Sequence, residues 1–231
     1  MIIPKHKALF VHVPKTAGQA VENYFLTSMG RTRKSDNSDL LMGLNPDLSH
    51  PKRLDHLSAK EYTSLGYFSE EDFKTYFKFA FVRNPWARLV SLYRFRGFSS
   101  VTSFPNFVNY YLPEYMEKEH WFFRSQAEFI CDENDQFLCD FVGRLEDLDI
   151  DFNKVLSALK LPATNLDRAN VSAEKWLSRK TLRLYKKYPS LLLRPLGAGQ
   201  KPNYRDYYNP KTMALVHRMY ERDINLLKYQ F

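Results

Sequence analysis

Short apolar runs alternate along this chain with amphipathic stretches of helical period. Residues 8–13, Ala-Leu-Phe-Val-His-Val, are mostly apolar and stop at Pro14, which cannot continue a hydrogen-bonded ladder. The run suits a central strand of a parallel sheet or a buried helical piece. Ala20, Val21, Tyr24 and Phe25 follow at helical spacing, predicting a helix over residues 19–29 that Gly30 ends as a left-handed cap. The arrangement repeats at residues 78–82, a second buried strand. Asn84 then serves as N-cap, Pro85 as first helical residue, Leu89, Leu92, Tyr93 and Phe95 as apolar face, and Gly97 as the stop. Between these units, residues 31–51 read as a long polar loop with the character of a lid. Ser58-Ala59-Lys60-Glu61 has the form of a capping box, predicting a helix over 59–65, and Ser69 starts another that ends near residue 77. Residues 136–142 read as a further strand, a basic helix ends before Pro189, and a last helix begins at Asn209-Pro210. Its stripe of Met213, Val216, Tyr220, Ile224 and Leu227 is core-like. Strand, turn and helix in repetition predict an α/β fold: a P-loop-like parallel sheet flanked by helices, as a single domain over residues 1–231.

Composition sets bounds on this picture. A chain of 231 residues with 44% apolar and 16% aromatic content can build a substantial core. No apolar run approaches the roughly 18 residues of a membrane span, and the chain opens directly into its first strand without a signal-peptide pattern. The expectation is a cytoplasmic protein without a membrane span, with peripheral contact to a membrane left open. Cys131 and Cys139 form no Cys-x-x-Cys pair and are expected as reduced core thiols; too few Cys or clustered His exist for a metal site. A formal charge of +8 points to acidic partners: nucleic acid, an anionic membrane surface, a polyanionic glycan or a multiply charged cofactor. Zinc-finger spacing and RNA-recognition signatures are absent, so no nucleic-acid partner is expected.

The strand–turn–helix at the N-terminal end carries the chemistry. A helix N-terminus presents unpaired N–H groups and the positive end of its dipole, and Lys15 adds a mobile charge; phosphate or sulfate is the natural guest. The stretch lacks the Gly-x-x-x-x-Gly-Lys-Ser/Thr pattern of nucleotide triphosphatases. Arg83 follows the second strand, and since open parallel sheets bind ligands outside their C-terminal edges, Arg83 and Lys15 converge on one crevice if the two strands are neighbours. Ser91 reaches that crevice only if its helix face looks inward. His12 reads as a packed side chain. His56, just ahead of a helix, has the side-chain type whose ordinary pKa suits a general base.

Two motifs carry a resemblance. Pro14-Lys15-Thr16-Ala17-Gly18 resembles the 5′-phosphosulfate loop of sulfotransferases that use 3′-phosphoadenosine 5′-phosphosulfate (PAPS), and Phe81-Val82-Arg83-Asn84-Pro85-Trp86-Ala87-Arg88-Leu89-Val90-Ser91 resembles their 3′-phosphate motif. The likeness is nearest to the carbohydrate sulfotransferases of heparan 2-O and chondroitin type, and runs on through residues 56–62, 142–148 and 220–231. It implies PAPS as co-substrate, no metal, and a hydroxyl acceptor on a sugar or glycan. Carried over residue by residue, Lys15, Thr16, Ala17, Gly18 and Gln19 hold the phosphosulfate, with Lys15 also stabilising the leaving oxygen. Arg83 and Ser91 grip the 3′-phosphate. His56 matches the catalytic histidine, with His50 as runner-up and a glutamate base, as in other branches, as the alternative. Lys201 and Arg205, in a basic loop over residues 197–205, are candidates for closing over the nucleotide. Gln19 and Ala20 stand where the family has Ser or Thr, and residues 172–196 look longer than the family's passage. The competing function class is a non-catalytic polyanion binder on the same fold, which would prefer long polymers and release them steeply with salt.

Overall fold

In the computed structural model, which describes residues 1–32, 43, 53–118, 120–166, 179–193 and 201–231, four strands form one sheet in the order β1-β2-β3-β4. β1 (Ile2–Ile3) and β2 (Ala8–Val11) pair antiparallel; β3 (Phe77–Val82) and then β4 (Phe141–Arg144) add in parallel. The first apolar run is therefore a strand, and its central place explains its lack of alternation, because all four residues of β2 are buried. Register sets Phe10 beside Phe79 and Phe79 beside Phe141. On one face, Phe10, Phe79 and Phe81 meet Val21 and Phe25 of the helix Gly18–Ser28 and Phe152, Val155 and Leu156 of the helix Leu148–Ala158. Each such side chain contributes on the order of 1.5–3 kcal/mol by leaving water. Gly143 pairs with Phe81, and a Cβ there would lie 2.6 Å from the Phe81 ring, so glycine is what lets that ring lie across β4.

The chain gathers into two compact units, Met1–Arg83 with Arg124–Ala169, and Asn84–Phe123 with Asn170–Phe231. The sheet and its two flanking helices belong to the first. There too, Ser58 and Glu61 close a capping box at the helix Ala59–Ser64, and both Glu61 carboxylate oxygens accept from the Arg124 guanidinium at 2.7 and 3.3 Å. In the second unit, the Asn84 side chain accepts from the Trp86 and Ala87 N–H groups to start the helix Pro85–Phe95, as its cap residue predicts. The basic segment folds as the helix Arg179–Lys187, turning Thr181 and Leu184 inward.

The first expected strand ends at Val11, short of Val13, and other boundaries differ more from the sequence reading. The strand expected over 136–142 begins only at Phe141, because Asp132 gathers the Asn134 and Gln136 N–H groups into a turn and Phe137 bridges back to Cys131. The helix starting at Ser69 ends at Thr75, since Phe77 already belongs to β3. The last helix is two, Pro210–Met219 and Glu221–Leu227, broken at Tyr220, whose hydroxyl donates to the Phe123 carbonyl at 2.8 Å. Of the expected lid, all but Arg31, Thr32 and Gly43 lies outside the described residues, as do residues 172–178 and 197–200. Cys131 and Cys139 are buried and unbridged. Among the described residues, no helix is long and apolar enough to cross a membrane.

Candidate active site

β2 ends at Val11 and hands the chain to a turn with two left-handed residues that are not glycine, Lys15 at φ 72° and Ala17 at φ 65°. Such conformations cost on the order of 1 kcal/mol each. Left-handed residues in such a turn are of the kind that brings backbone N–H groups to one side, a form suited to anions, and the helix Gly18–Ser28 starts directly after it. Thr16 is fully buried, its hydroxyl donating to the Val13 carbonyl at 2.9 Å, which closes the turn from within. Lys15 and Ala17 are half-buried and Gln19 is exposed. Gly18 lies under the His12 ring, so close that a Cβ would fall 2.0 Å from its Nε2.

β2 and β3 are neighbours and parallel, so the Lys15 turn and Arg83 follow the same edge of the sheet. Arg83 leaves β3 under a clamp from fully buried Gln126, whose side-chain oxygen accepts from the Arg83 N–H at 2.9 Å while its amide donates to the Arg83 carbonyl at 2.7 Å. This side chain does the work of one more strand residue, and no sequence signal marks it.

His56 closes a single helical turn, Leu54–His56, and is 8% exposed. Its Nδ1 lies 3.2 Å from the His12 carbonyl oxygen. A carbonyl can only accept, so Nδ1 carries the proton and Nε2 the lone pair, the form a general base requires. Burial, with His12 adding to it, pushes the His56 pKa down to about 4, against the pull of Asp55, of the His12 carbonyl and of Glu22. The imidazole is thus neutral at pH 7. The two histidine rings lie 4.5 Å apart between centroids, and His12 Nδ1 is 2.6 Å from the carboxylate of fully buried Glu22. His12 is packed, as its place on an apolar run predicts, yet it is packed against the candidate base. The side chains of His12, Asp55 and His56 gather within 4.8 Å of one another, and Asp55 is paired with Arg53 at 2.9 Å.

In the second unit, Ser91 is half-buried on the helix Pro85–Phe95. The Lys201 N–H donates to the Tyr207 hydroxyl at 2.8 Å and its ammonium to the Asp206 carbonyl. The exposed Arg205 guanidinium donates to the Phe231 carbonyl at 3.1 Å. His50 lies outside the described residues.

Three parallel strands, with a lysine in the turn that leads from one of them into a helix N-terminus, are the arrangement that α/β folds use to receive anions. Within that class, the Sulfotransferase family matches this chain over residues 1–230, and the chain belongs to that family. Its chemistry is therefore sulfuryl transfer from a sulfate donor to a hydroxyl-bearing acceptor. Comparison with curated proteins gave no match, and comparison with solved structures gave none either.

Proposed function

We propose that the protein moves a sulfuryl group from PAPS to a hydroxyl, on a sugar or glycan, by in-line transfer with His56 as general base. The observation that carries this reading is the bond from His56 Nδ1 to the His12 carbonyl, at the same edge of the sheet as the Lys15 turn. The acceptor oxygen attacks sulfur, its proton passes to His56 Nε2, and the bond from sulfur to the phosphate oxygen breaks. Lys15 and the N–H groups of the turn, with Thr16, Ala17, Gly18 and Gln19, take up the charge on the departing adenosine 3′,5′-bisphosphate. A pKa of about 4 makes His56 a weak base in the unliganded protein. The anionic donor corrects this, since negative charge nearby favours the imidazolium. Arg83 and Ser91 are assigned to the 3′-phosphate, with Lys201 and Arg205 as nucleotide contacts. The sugar acceptor rests on the resemblance, and the assignment to the cytoplasm is supported by two buried, unbridged cysteines.

His56→Ala tests the reading. Turnover with radiolabelled PAPS should fall roughly a hundredfold to ten-thousandfold, with adenosine 3′,5′-bisphosphate affinity by calorimetry nearly unchanged, whereas Lys15→Ala should damage both. The acid limb of kcat, which reports the donor complex, should lie above that of kcat/KM for PAPS, which reports the free protein. Full turnover in His56→Ala would end the assignment in favour of a carboxylate base. A protein that ignored the nucleotide and held long polyanions in a steeply salt-dependent way would be the non-catalytic binder instead.

A further inference from the structure

Glu22 is a carboxylate with no exposure to solvent on the second turn of the helix Gly18–Ser28, and burying such a charge is costly unless it is matched. Part of its match is His12 Nδ1 at 2.6 Å, the length of a charge-assisted bond, and because a carboxylate accepts, Nδ1 is the protonated nitrogen. The His12 ring is hemmed in on its other sides. It stacks on Phe10 with centroids 5.5 Å apart, lies against the α-carbon of Gly18, and leans on His56. The carbonyl of this same residue receives the His56 Nδ1–H.

We propose that Glu22 is a positioning residue for His56, acting through His12: its carboxylate locks the His12 ring, and His12 in turn holds His56 with Nδ1 protonated and Nε2 towards the reaction. This rests on the reading of His56 as the base. Glu22 sits in the helix that begins at the anion-binding turn, so one carboxylate ties the base to the element that receives the donor. Its charge also acts on His56 through space. Among the described residues, the ionisable groups that act on His56 are His12, Asp55, which is paired with Arg53, and Glu22. Beyond them stand the Met1 amine and Tyr62, which are bonded to each other and feel the same two carboxylates. Glu22 favours the imidazolium, so removing its charge lowers the pH at which His56 protonates.

The experiment compares wild type, Glu22→Gln, His56→Ala and the double variant by kcat, its pH profile and the affinity for adenosine 3′,5′-bisphosphate. Glu22→Gln keeps the shape and an accepting oxygen but loses the charge. Its kcat should fall about tenfold, its acid limb should move to lower pH, and nucleotide affinity should stay within about twofold. In the His56→Ala background the same substitution should have no further effect. Unchanged kcat and acid limb in Glu22→Gln, with His56→Ala inactive, overturn this proposal alone, as does an equal loss in both backgrounds. Turnover surviving in His56→Ala removes the base reading and this proposal with it. Should Glu22→Gln fail to fold, imidazole nitrogen NMR of the wild type decides: a His56 Nδ1–H tautomer supports the proposal, and an Nε2–H tautomer overturns it.

Discussion

Gly18→Ala asks for a movement whose size the structure sets. The added carbon would lie 2.0 Å from both Cδ2 and Nε2 of His12 and 2.6 Å from Cε1. Comfortable contacts are about 3.5–4.0 Å, so either the ring or the first turn of the helix must shift by roughly 1.5 Å. The ring cannot yield easily, because Nδ1 is bonded to Glu22 at 2.6 Å and Phe10 stacks on it. Overpacking of this kind costs on the order of 1–3 kcal/mol, and for a chain of this length each kcal/mol lowers Tm by roughly 2–4 °C. If the helix start moves instead, the N–H groups of the turn move with it, and adenosine 3′,5′-bisphosphate affinity should drop by about tenfold or more. Thermal unfolding and titration calorimetry read the two effects. Gly30→Ala is the control: at φ +70° with nothing within 4 Å of its Cβ, it should cost only the left-handed strain, about 1–2 kcal/mol, and leave the nucleotide alone. In a His12→Ala background the steric part of Gly18→Ala should vanish. A Gly18→Ala protein with wild-type Tm and affinity, or full additivity with His12→Ala, would refute the reasoning.

Two further outcomes follow from named contacts. Arg83→Ala and Ser91→Ala should each cost on the order of 2–3 kcal/mol in calorimetry with the 3′-phosphorylated nucleotide and little with its analogue lacking that phosphate; equal losses for both ligands would remove these residues from the 3′-phosphate. Burial works to raise the Glu61 pKa, but its hydrogen bonds and charge contact with Arg124 outweigh it and leave the group below the ordinary carboxylate range. A depressed folded-state pKa stabilises above the unfolded value near 4.5, and this contribution is lost as pH falls through the folded value. Arg124→Ala should therefore cost about 2–3 kcal/mol at pH 7, already discounted for the partial exposure of Glu61, and less at pH 3; a cost that does not change with pH would contradict the ion pair.

The elements that sequence predicts well here are those whose residues act locally. The caps at Asn84 and Ser58 bond within their own first turns, and Pro14 ends a ladder by lacking an N–H wherever it stands. Parallel pairing of β2 with β3 was legible only as a condition, because the sixty-odd residues between them carry no record of which strand they return to. β4 was displaced for the same reason. Phe137 and Leu138 have strand-like side chains, yet the Asp132 turn takes them into a bridge with Cys131 and a bond to the Ile130 carbonyl.

Around the base the same distinction separates His56 from His12. The chemistry proposed for an imidazole near the Lys15 turn can be argued from residue type, and His56 stands beside a capping box that marks its neighbourhood. The work assigned to His12 depends instead on two bonds made by different parts of one residue: the ring to Glu22 and the carbonyl to His56. Neither has a periodicity. Glu22 even reads against its role, since a glutamate among Ala20, Val21, Tyr24 and Phe25 suggests the wet side of an amphipathic helix. Its full burial makes sense only once β2, the helix and the Leu54–His56 turn are folded together, so that a charge excluded from water meets an imidazole that needs fixing. A buried charge whose partner lies on another element is thus where sequence reasoning stops and where the electrostatics of the site begins.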